Sequence, residues 1–503
     1  MRFFKSLEYR LRNFFPEKGY TIPNKKLFYR KENKGKNVAI ECFTGYSALN
    51  VYYISILAKL IKEQDINNIY LIYKSRMDRY LWQNKILRNY LSAKEIILSN
   101  EKVSDRDFNC FVNGEKDITK IKFKEFSIGQ DIYFSKLRAE KVGRYPLKIE
   151  LYDKEIKQFI SRYSAIDEVI EKYDIDCIFQ SDIAYTSYLP LFMAALNKNI
   201  KSVVSFPYGK TGKIGGRSYL SATEYNDVDR RFPFSFSDST WEQASKLEEG
   251  RVNDFVNKRF RGESSLFDGS YQKGKSKGVS SMCMSKENAK ALIACHLLWD
   301  NPGYESLFND YTDWLINTLS VVKNRKDVDW IIKSHPSEKY LGTNEKVKMI
   351  VSEFFSGDIP SNVYFLEADT ELSTFEIIKD VDFVVTVRGT ITFEAASLGK
   401  KVLTAGKGPH SGLAIAEEFS SKESYIERLM TLDNFHFEND LTARKALYTY
   451  MEIKAVYSPI LNDLYNGKRN LEDIVFNGEA DSAISKVHDV IKSECGKDIQ
   501  SCC

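Results

Sequence analysis

Three short stretches in the second half of the sequence concentrate residues able to do chemistry. In "DFVVTVRGTITFEAASLGKKVLTAG" (Asp382 to Gly406) an apolar run ends at Arg388, Gly389 and Thr390, and an amphipathic piece carrying Glu394 follows. Thr390 is a good N-cap, and the free amides of a first helical turn attract anions. Gly389 lets a phosphate approach the backbone, and Arg388 supplies a charged fork. Glu394 lies one turn beyond Thr390, on the same side of the helix, where a carboxylate accepts hydrogen bonds from ribose hydroxyls. The turn is thus shaped for a phosphate joined to a ribose. The plainer alternative is a capped packing helix with Glu394 in solvent.

The second stretch is "WIIKSHPSEK". Lys333 and His335 alternate with Ser334 on a strand and point the same way, and Pro336 forbids a further ladder bond. Ammonium and imidazole donors at a strand's carboxyl end neutralise a diphosphate or a departing phosphate; an ordinary strand terminus is the alternative. In the third, "ACHLLWDNPG", His296 is expected within the strand as a core residue. Asp300, at the strand's mouth, either orders a loop over a ligand or caps the Asn-Pro-Gly turn, and the turn is favoured. Two acid pairs, Asp327 with Asp329 and Asp380 with Asp382, precede their strands and read as solvated edges. No Cys/His set has zinc spacing, and no phosphate loop or nucleophile elbow is present. "GKTGKIGGR" (Gly209 to Arg217) reads as a flexible loop.

The elements that must position these residues alternate regularly. "KNVAIECF", "NIYLIY", "DCIFQS" and "KSVVSFP" read as buried strands, with helices at "VYYISILAKLIKEQ", near "SAIDEVIEKY" and at "SYLPLFMAALNKN". Strands "KALIACHLLWD", "DVDWIIKSH", "NVYFLE", "DFVVTV" and "KKVLTAG" alternate with helices in the second half. Such alternation builds parallel sheets, whose ligands bind beyond the carboxyl ends of the strands. The expected fold class is α/β: two Rossmann-like, doubly wound parallel-sheet domains facing a cleft, with a helical C-terminal region. The expected boundaries are an amphipathic helix over 1–18, a first domain over 36–250, a Gly/Ser/Lys-rich linker over 251–288, a second domain over 289–440 and C-terminal helices over 441–503.

At 503 residues two domains are the first expectation. A net charge of +4 is too weak to argue for nucleic acid. The eight scattered cysteines fit buried thiols in a reducing compartment. No apolar window approaches membrane-spanning length. Phe3, Phe4, Leu7, Leu11, Phe14 and Phe15 share one helical face opposite a mostly basic one. Residues 2–15 therefore either lie on an anionic membrane surface or dock on the protein's own core.

Taken in order, "HLLWDNPGYESLFNDYTDWL", "KSHPSE" and "VVTVRGTITFEAASLGKKVLTAG" resemble the bacterial capsule and surface-polysaccharide glycosyltransferases of the GT-B type, over roughly Ala291 to Gly412. The His-Pro and Ser/Thr elements are similar to those of Kdo- and sialic-acid-type transferases. The resemblance implies a nucleotide-sugar donor of CMP or UDP type in the C-terminal half and a glycan or lipid-linked glycan acceptor in the N-terminal half. His335-Pro336 and Gly389-Thr390 would contact the donor phosphate, and Glu394 the ribose. Lys333, His335 and Arg388 would stabilise the departing phosphate, without a metal or a bound cofactor. Asp182 is the candidate base for the acceptor hydroxyl and Glu41 the alternate; capping the next helix is the competing role for Asp182. A cytoplasmic enzyme, peripheral at the membrane's inner face, is the expected setting. A CDP-alditol phosphotransferase, a nucleotide-sugar epimerase and a non-catalytic nucleotide-binding scaffold are the alternatives.

Overall fold

The computed structural model describes residues 35–43, 66–80, 88, 93–99, 102–124, 126–180, 183–204, 217–219, 238–263, most of 275–300, 306–432 and 440–455. The N-terminal helix, "VYYISILAKLIKEQ", Asp182, the body of the Gly209 loop and four of the eight cysteines lie outside the described residues. Of the other four, Cys42, Cys177 and Cys295 are buried and Cys110 is exposed, all as free thiols. Among the described residues no helix is long and apolar enough to cross a membrane.

The chain is α/β, with two Rossmann-like sheets, each in its own compact unit. The first unit takes the described residues up to Ile132 and those of 148–233. Its strands are β1 (Lys36–Glu41), β2 (Ile66–Tyr73), β3 (Lys94–Ile97), β6 (Cys177–Gln180), β7 (Lys201–Val204) and β8 (Arg217–Tyr219), beside a small antiparallel hairpin of β4 (Lys122–Phe123) and β5 (Phe126–Ser127). The sheet order is β3-β2-β1-β6-β7-β8, parallel except for the edge pair β7–β8.

The second unit carries β9 (Ala289–Ala294), β10 (Val328–Lys333), β11 (Val363–Leu366), β12 (Phe383–Thr386), β13 (Lys401–Thr404) and β14 (Glu417–Glu418). Its order is β11-β10-β9-β12-β13-β14, parallel throughout. Winding runs outward from β9 to β11, then returns to the other side of β9 at β12. In both units the order reverses once, beside the first strand, which is where doubly wound sheets open a crevice.

Burial on both faces explains the near-continuous apolar strands of the second unit. Ala291, Ile293, Trp330, Ile332 and Val385 face one core, against the helices Tyr311–Asn324, Val347–Phe354 and Lys422–Met430. Leu292, Ile331 and Val384 face the other, against Glu249–Phe260, Thr374–Asp380, Thr390–Ala396 and Asp440–Ala455. Each large apolar side chain so buried stabilises the unit by about 1.5–3 kcal/mol.

The expected domain boundaries need two corrections. The segment read as a linker over 251–288 opens with the helix Glu249–Phe260, whose Val252, Val256 and Phe260 repeat every four residues and pack into the second core. The stretch Tyr133–Leu147, inside the segment assigned to the first domain, belongs to the second unit. Tyr133 donates its hydroxyl to Asp310 Oδ2 at 2.6 Å, and Gly143 N donates to Glu345 Oε2 at 2.8 Å. A side chain could not replace Gly143, because a Cβ there would meet Thr312 Oγ1 at 2.3 Å and Leu298 Cβ at 2.6 Å.

Candidate functional site

At the switch point of the second unit a cavity of about 200 Å³ opens at the carboxyl ends of β9, β10 and β12. Lys333, His335, Pro336, Arg388, Gly389, Thr390 and Glu394 all line it. The strand-to-helix turns therefore bring together segments more than fifty residues apart in sequence.

Lys333 is the last residue of β10 and only 5% exposed. Burial, aided by Lys275, lowers its pKa to about 8. His335 follows as the N-cap of a short 3-10 turn, Pro336–Lys339, and its Nδ1 accepts from Ser337 N at 3.1 Å. Burial, then the neighbouring Lys333, lowers its pKa to about 4. The ring is therefore neutral at pH 7, and with Nδ1 accepting, Nε2 carries the proton and is a donor. The ladder stops at Lys333, two residues before the expected end.

Beyond β12, Arg388 is 2% exposed. Gly389, and not Thr390, is the N-cap of the helix Thr390–Ala396, so the expected Thr390 cap is corrected. The reason is backbone geometry: Gly389 takes φ +114° and ψ 179°, a conformation essentially restricted to glycine, and Thr390 is already helical. At the other end Gly399 is left-handed at φ +70° and its N–H reaches Ala396 O, although the helix closes two residues before the expected Leu398.

Glu394 is 6% exposed, so the solvated alternative fails. Its Oε1 accepts from Arg259 Nε at 3.0 Å and from Arg259 Nη2. Arg259, 2% exposed and also lining the cavity, was missed because its segment was read as a linker; the four-residue apolar repeat around it is the signal that could have found it.

His296 also lines the cavity and was assigned instead to the core of a strand. That strand ends at Ala294, so His296 stands beyond it, stacked on Tyr311 with centroids 4.3 Å apart. Its Nε2 accepts from Arg388 N at 3.4 Å and lies 3.2 Å from Thr386 Oγ1. Burial, then Arg388, holds it well below the ordinary imidazole range. His410, fully buried behind Arg388, is lowered to about 3 by the same two causes. Neither imidazole competes with Lys333 and Arg388 for an anion's charge.

Other candidates fall elsewhere. Asp300 is not among the described residues that line the cavity; its Oδ1 accepts from Arg138 Nη1 at 2.6 Å, and the Asn-Pro-Gly turn it was expected to cap lies outside the described residues. Asp329 is not a solvated edge: it lies inside β10, is 1% exposed, and accepts from Ser285 N and Asn288 Nδ2 at 2.9 Å each. Asp382 does sit exposed at the amino end of β12, accepting from Lys290 N. In the first unit Glu41 closes β1 at that sheet's own switch point, 2% exposed and accepting from Phe43 N. Among the described residues no group of three His, Cys, Asp or Glu gathers as a metal set.

No protein-family model matches the chain, and no curated protein matches it. Solved structures similar to it include UDP-GlcNAc 2-epimerase from Neisseria meningitidis bound to UDP-GlcNAc, at 14% identity over 91% of this chain and 100% of that one, with a TM-score of 0.28. Thermosulfurimonas dismutans KpsC, a beta Kdo 2,4 transferase, is 11% identical over 58% of this chain and 87% of its own, with a TM-score of 0.31. Spinosyn rhamnosyltransferase SpnG complexed with thymidine diphosphate is 9% identical over 84% and 96%, with a TM-score of 0.24. Scores this low carry no inference about activity.

Proposed function

We propose that the chain is a glycosyltransferase that moves a sugar from a nucleotide-sugar donor, cytidine-activated by preference, to a growing surface polysaccharide, capsule or O-antigen glycan. One observation supports this above the rest: Lys333, His335, Arg388, Gly389 and Glu394 line one cavity at a sheet's switch point. Ammonium, guanidinium and the neutral imidazole's Nε2–H are three donors suited to a phosphate. Glu394 Oε2, which receives no hydrogen bond among the described residues, would accept from ribose hydroxyls. The cavity's volume is below the roughly 300–1,000 Å³ of a pocket that encloses a whole drug-sized ligand, which suits the charged phosphate–ribose part.

In this mechanism an acceptor hydroxyl attacks the anomeric carbon and the sugar–phosphate bond breaks. Negative charge then grows on the departing phosphate, where each fixed donor contributes on the order of 3 kcal/mol. Asp182 or Glu41 is the proposed base for the acceptor hydroxyl. A lipid-linked acceptor, with residues 2–15 at the inner face of the cytoplasmic membrane, completes the proposal. A thermal-shift screen against CMP, CDP, UDP and GDP tests it. A nucleotide at a hundred times its Kd adds about 2.7 kcal/mol. Stabilisation lost in His335→Ala and Glu394→Ala supports the site, and donor turnover lost in the same variants excludes a scaffold. Release of an epimerised free sugar without transfer would make the chain an epimerase instead.

A further inference from the structure

We propose that His296 is a ligand-contacting residue of the second unit's cavity, its Nδ1–H donating to the phosphate oxygen that comes to rest against Gly389. The proposal rests on reading this cavity as a phosphate site. It adds a donor from beyond β9 to those of Lys333, His335 and Arg388.

The ring is held by the protein itself. His296 stands two residues past the end of β9, beside the neighbouring strand β12. One face lies on Tyr311, 14° from parallel with centroids 4.3 Å apart, and the Trp314 ring meets it edge-on at 6.3 Å. Tyr311 and Trp314 both belong to the buried core, so packing fixes the imidazole plane without a ligand.

Its neighbours then decide which nitrogen carries the proton. Nε2 faces the backbone N–H of Arg388 at 3.4 Å and the hydroxyl of Thr386 at 3.2 Å. An amide N–H cannot accept, so a proton on Nε2 would set two donors head to head. Nε2 is the acceptor, and the neutral ring keeps its proton on Nδ1. Burial, then Arg388 and His335, keep the ring neutral. Nδ1 makes no hydrogen bond among the described residues, yet it is not sealed from solvent as His410 Nδ1 is. The half-buried ring lines the cavity, so the cavity is where this donor meets an acceptor.

Gly389 marks the acceptor's position. The Cβ that it lacks would lie 3.8 Å from His296 Cε1, the ring carbon bonded to Nδ1. The glycine thus leaves open space along that edge of the ring. A phosphate oxygen in that space touches the Gly389 backbone and reaches Nδ1–H together. A neutral imidazole polarises such an oxygen without changing its own protonation.

Two substitutions separate this contact from mere support of the turn. Asn sets its amide where Nδ1 stands, and Gln sets its amide where Nε2 stands. His296→Asn therefore keeps the donor and gives up the acceptor for Arg388 N, whereas His296→Gln does the reverse. The Kd of the full chain for CMP, CDP, UDP and GDP is measured by calorimetry. His296→Gln should weaken binding about tenfold or more, and His296→Asn less than about threefold. The reverse order, or equal affinity in wild type and His296→Gln, overturns the contact while leaving the donor site standing. A wild type that binds none of the four nucleotides overturns both. Long-range proton–nitrogen correlation spectra of isotope-labelled histidine rings give a readout that needs no nucleotide, with His296→Gln identifying the His296 signals. The Nδ1–H tautomer is expected, and finding Nε2–H overturns the proposal.

Discussion

Arg259 Nε donates to Glu394 Oε1 across 3.0 Å, joining two residues 135 positions apart that are 2% and 6% exposed. A second guanidinium nitrogen, Nη2, reaches the same oxygen. Both bonds fall on Oε1, so the carboxylate is held at one end while the other end remains available. The helix carrying Arg259 is tied to the core by Val252, Val256 and Phe260, so the guanidinium is positioned by packing and not only by charge.

Breaking this pair should be costly. A buried ion deprived of its partner destabilises by about 3–5 kcal/mol, whereas replacing both partners with apolar groups is far milder. Arg259→Ala should therefore unfold the second unit at markedly lower urea, and Arg259→Met with Glu394→Leu should recover most of the loss. Neither variant should regain nucleotide stabilisation. Urea melts with and without nucleotide read both effects, and equal stability of Arg259→Ala and wild type would contradict the buried pair.

His335→Ala removes one donor to a charged phosphate, worth about 1.5–3 kcal/mol. Nucleotide affinity, measured by calorimetry, should fall about 10- to 100-fold, while the fold survives the loss of a single short-turn cap. An unchanged Kd would remove His335 from the site.

The pH dependence follows from Lys333, whose pKa is lowered to about 8, first by burial and then by Lys275. Its ammonium is present below about pH 8 and lost above it, so nucleotide affinity should decline as pH rises through 8. A bound phosphate restores the charge, so binding near pH 9 should take up a proton, visible as a buffer-dependent heat. In the unliganded protein the sign is opposite: the unfolded chain holds more protons between about 8 and the ordinary 10.5, so this group's contribution to stability rises across that window. Lys333→Arg should flatten both trends.

Gly389→Ala tests the turn. Its φ of +114° costs a side-chain-bearing residue about 1–3 kcal/mol. The space itself is open, since a Cβ would come no nearer than 3.8 Å to His296 Cε1. The variant should fold with a lower melting temperature and bind nucleotide poorly, because relaxing the turn displaces Arg388 and Thr390. Wild-type affinity would show that the turn's conformation is dispensable.

Much of this was legible in the sequence because parallel strands buried on both faces are apolar throughout, and their carboxyl ends are marked by turn residues. Lys333, His335 and Arg388 could be found that way. What escaped depended on other information. Arg259 lies in a helix beside Gly- and Ser-rich text that masks its period. The N-cap at Gly389 is set by a dihedral angle that Thr390's preference cannot reveal. His296 moved from core to cavity because β9 ends at Ala294, two residues before it, and Asp329 moved from edge to interior because β10 begins at Val328.

The stretch Tyr133–Leu147 makes the second unit discontinuous along the chain. Besides its bonds to Asp310 and Glu345, it lays Lys141 3.3 Å over the Trp299 ring. Gene fragments cut at the Gly/Ser-rich segment would therefore express a C-terminal piece with its Asp310 deprived of Tyr133 and its Trp299 laid bare. Such a piece should be poorly soluble unless a peptide spanning 133–147 is supplied in trans or fused ahead of it.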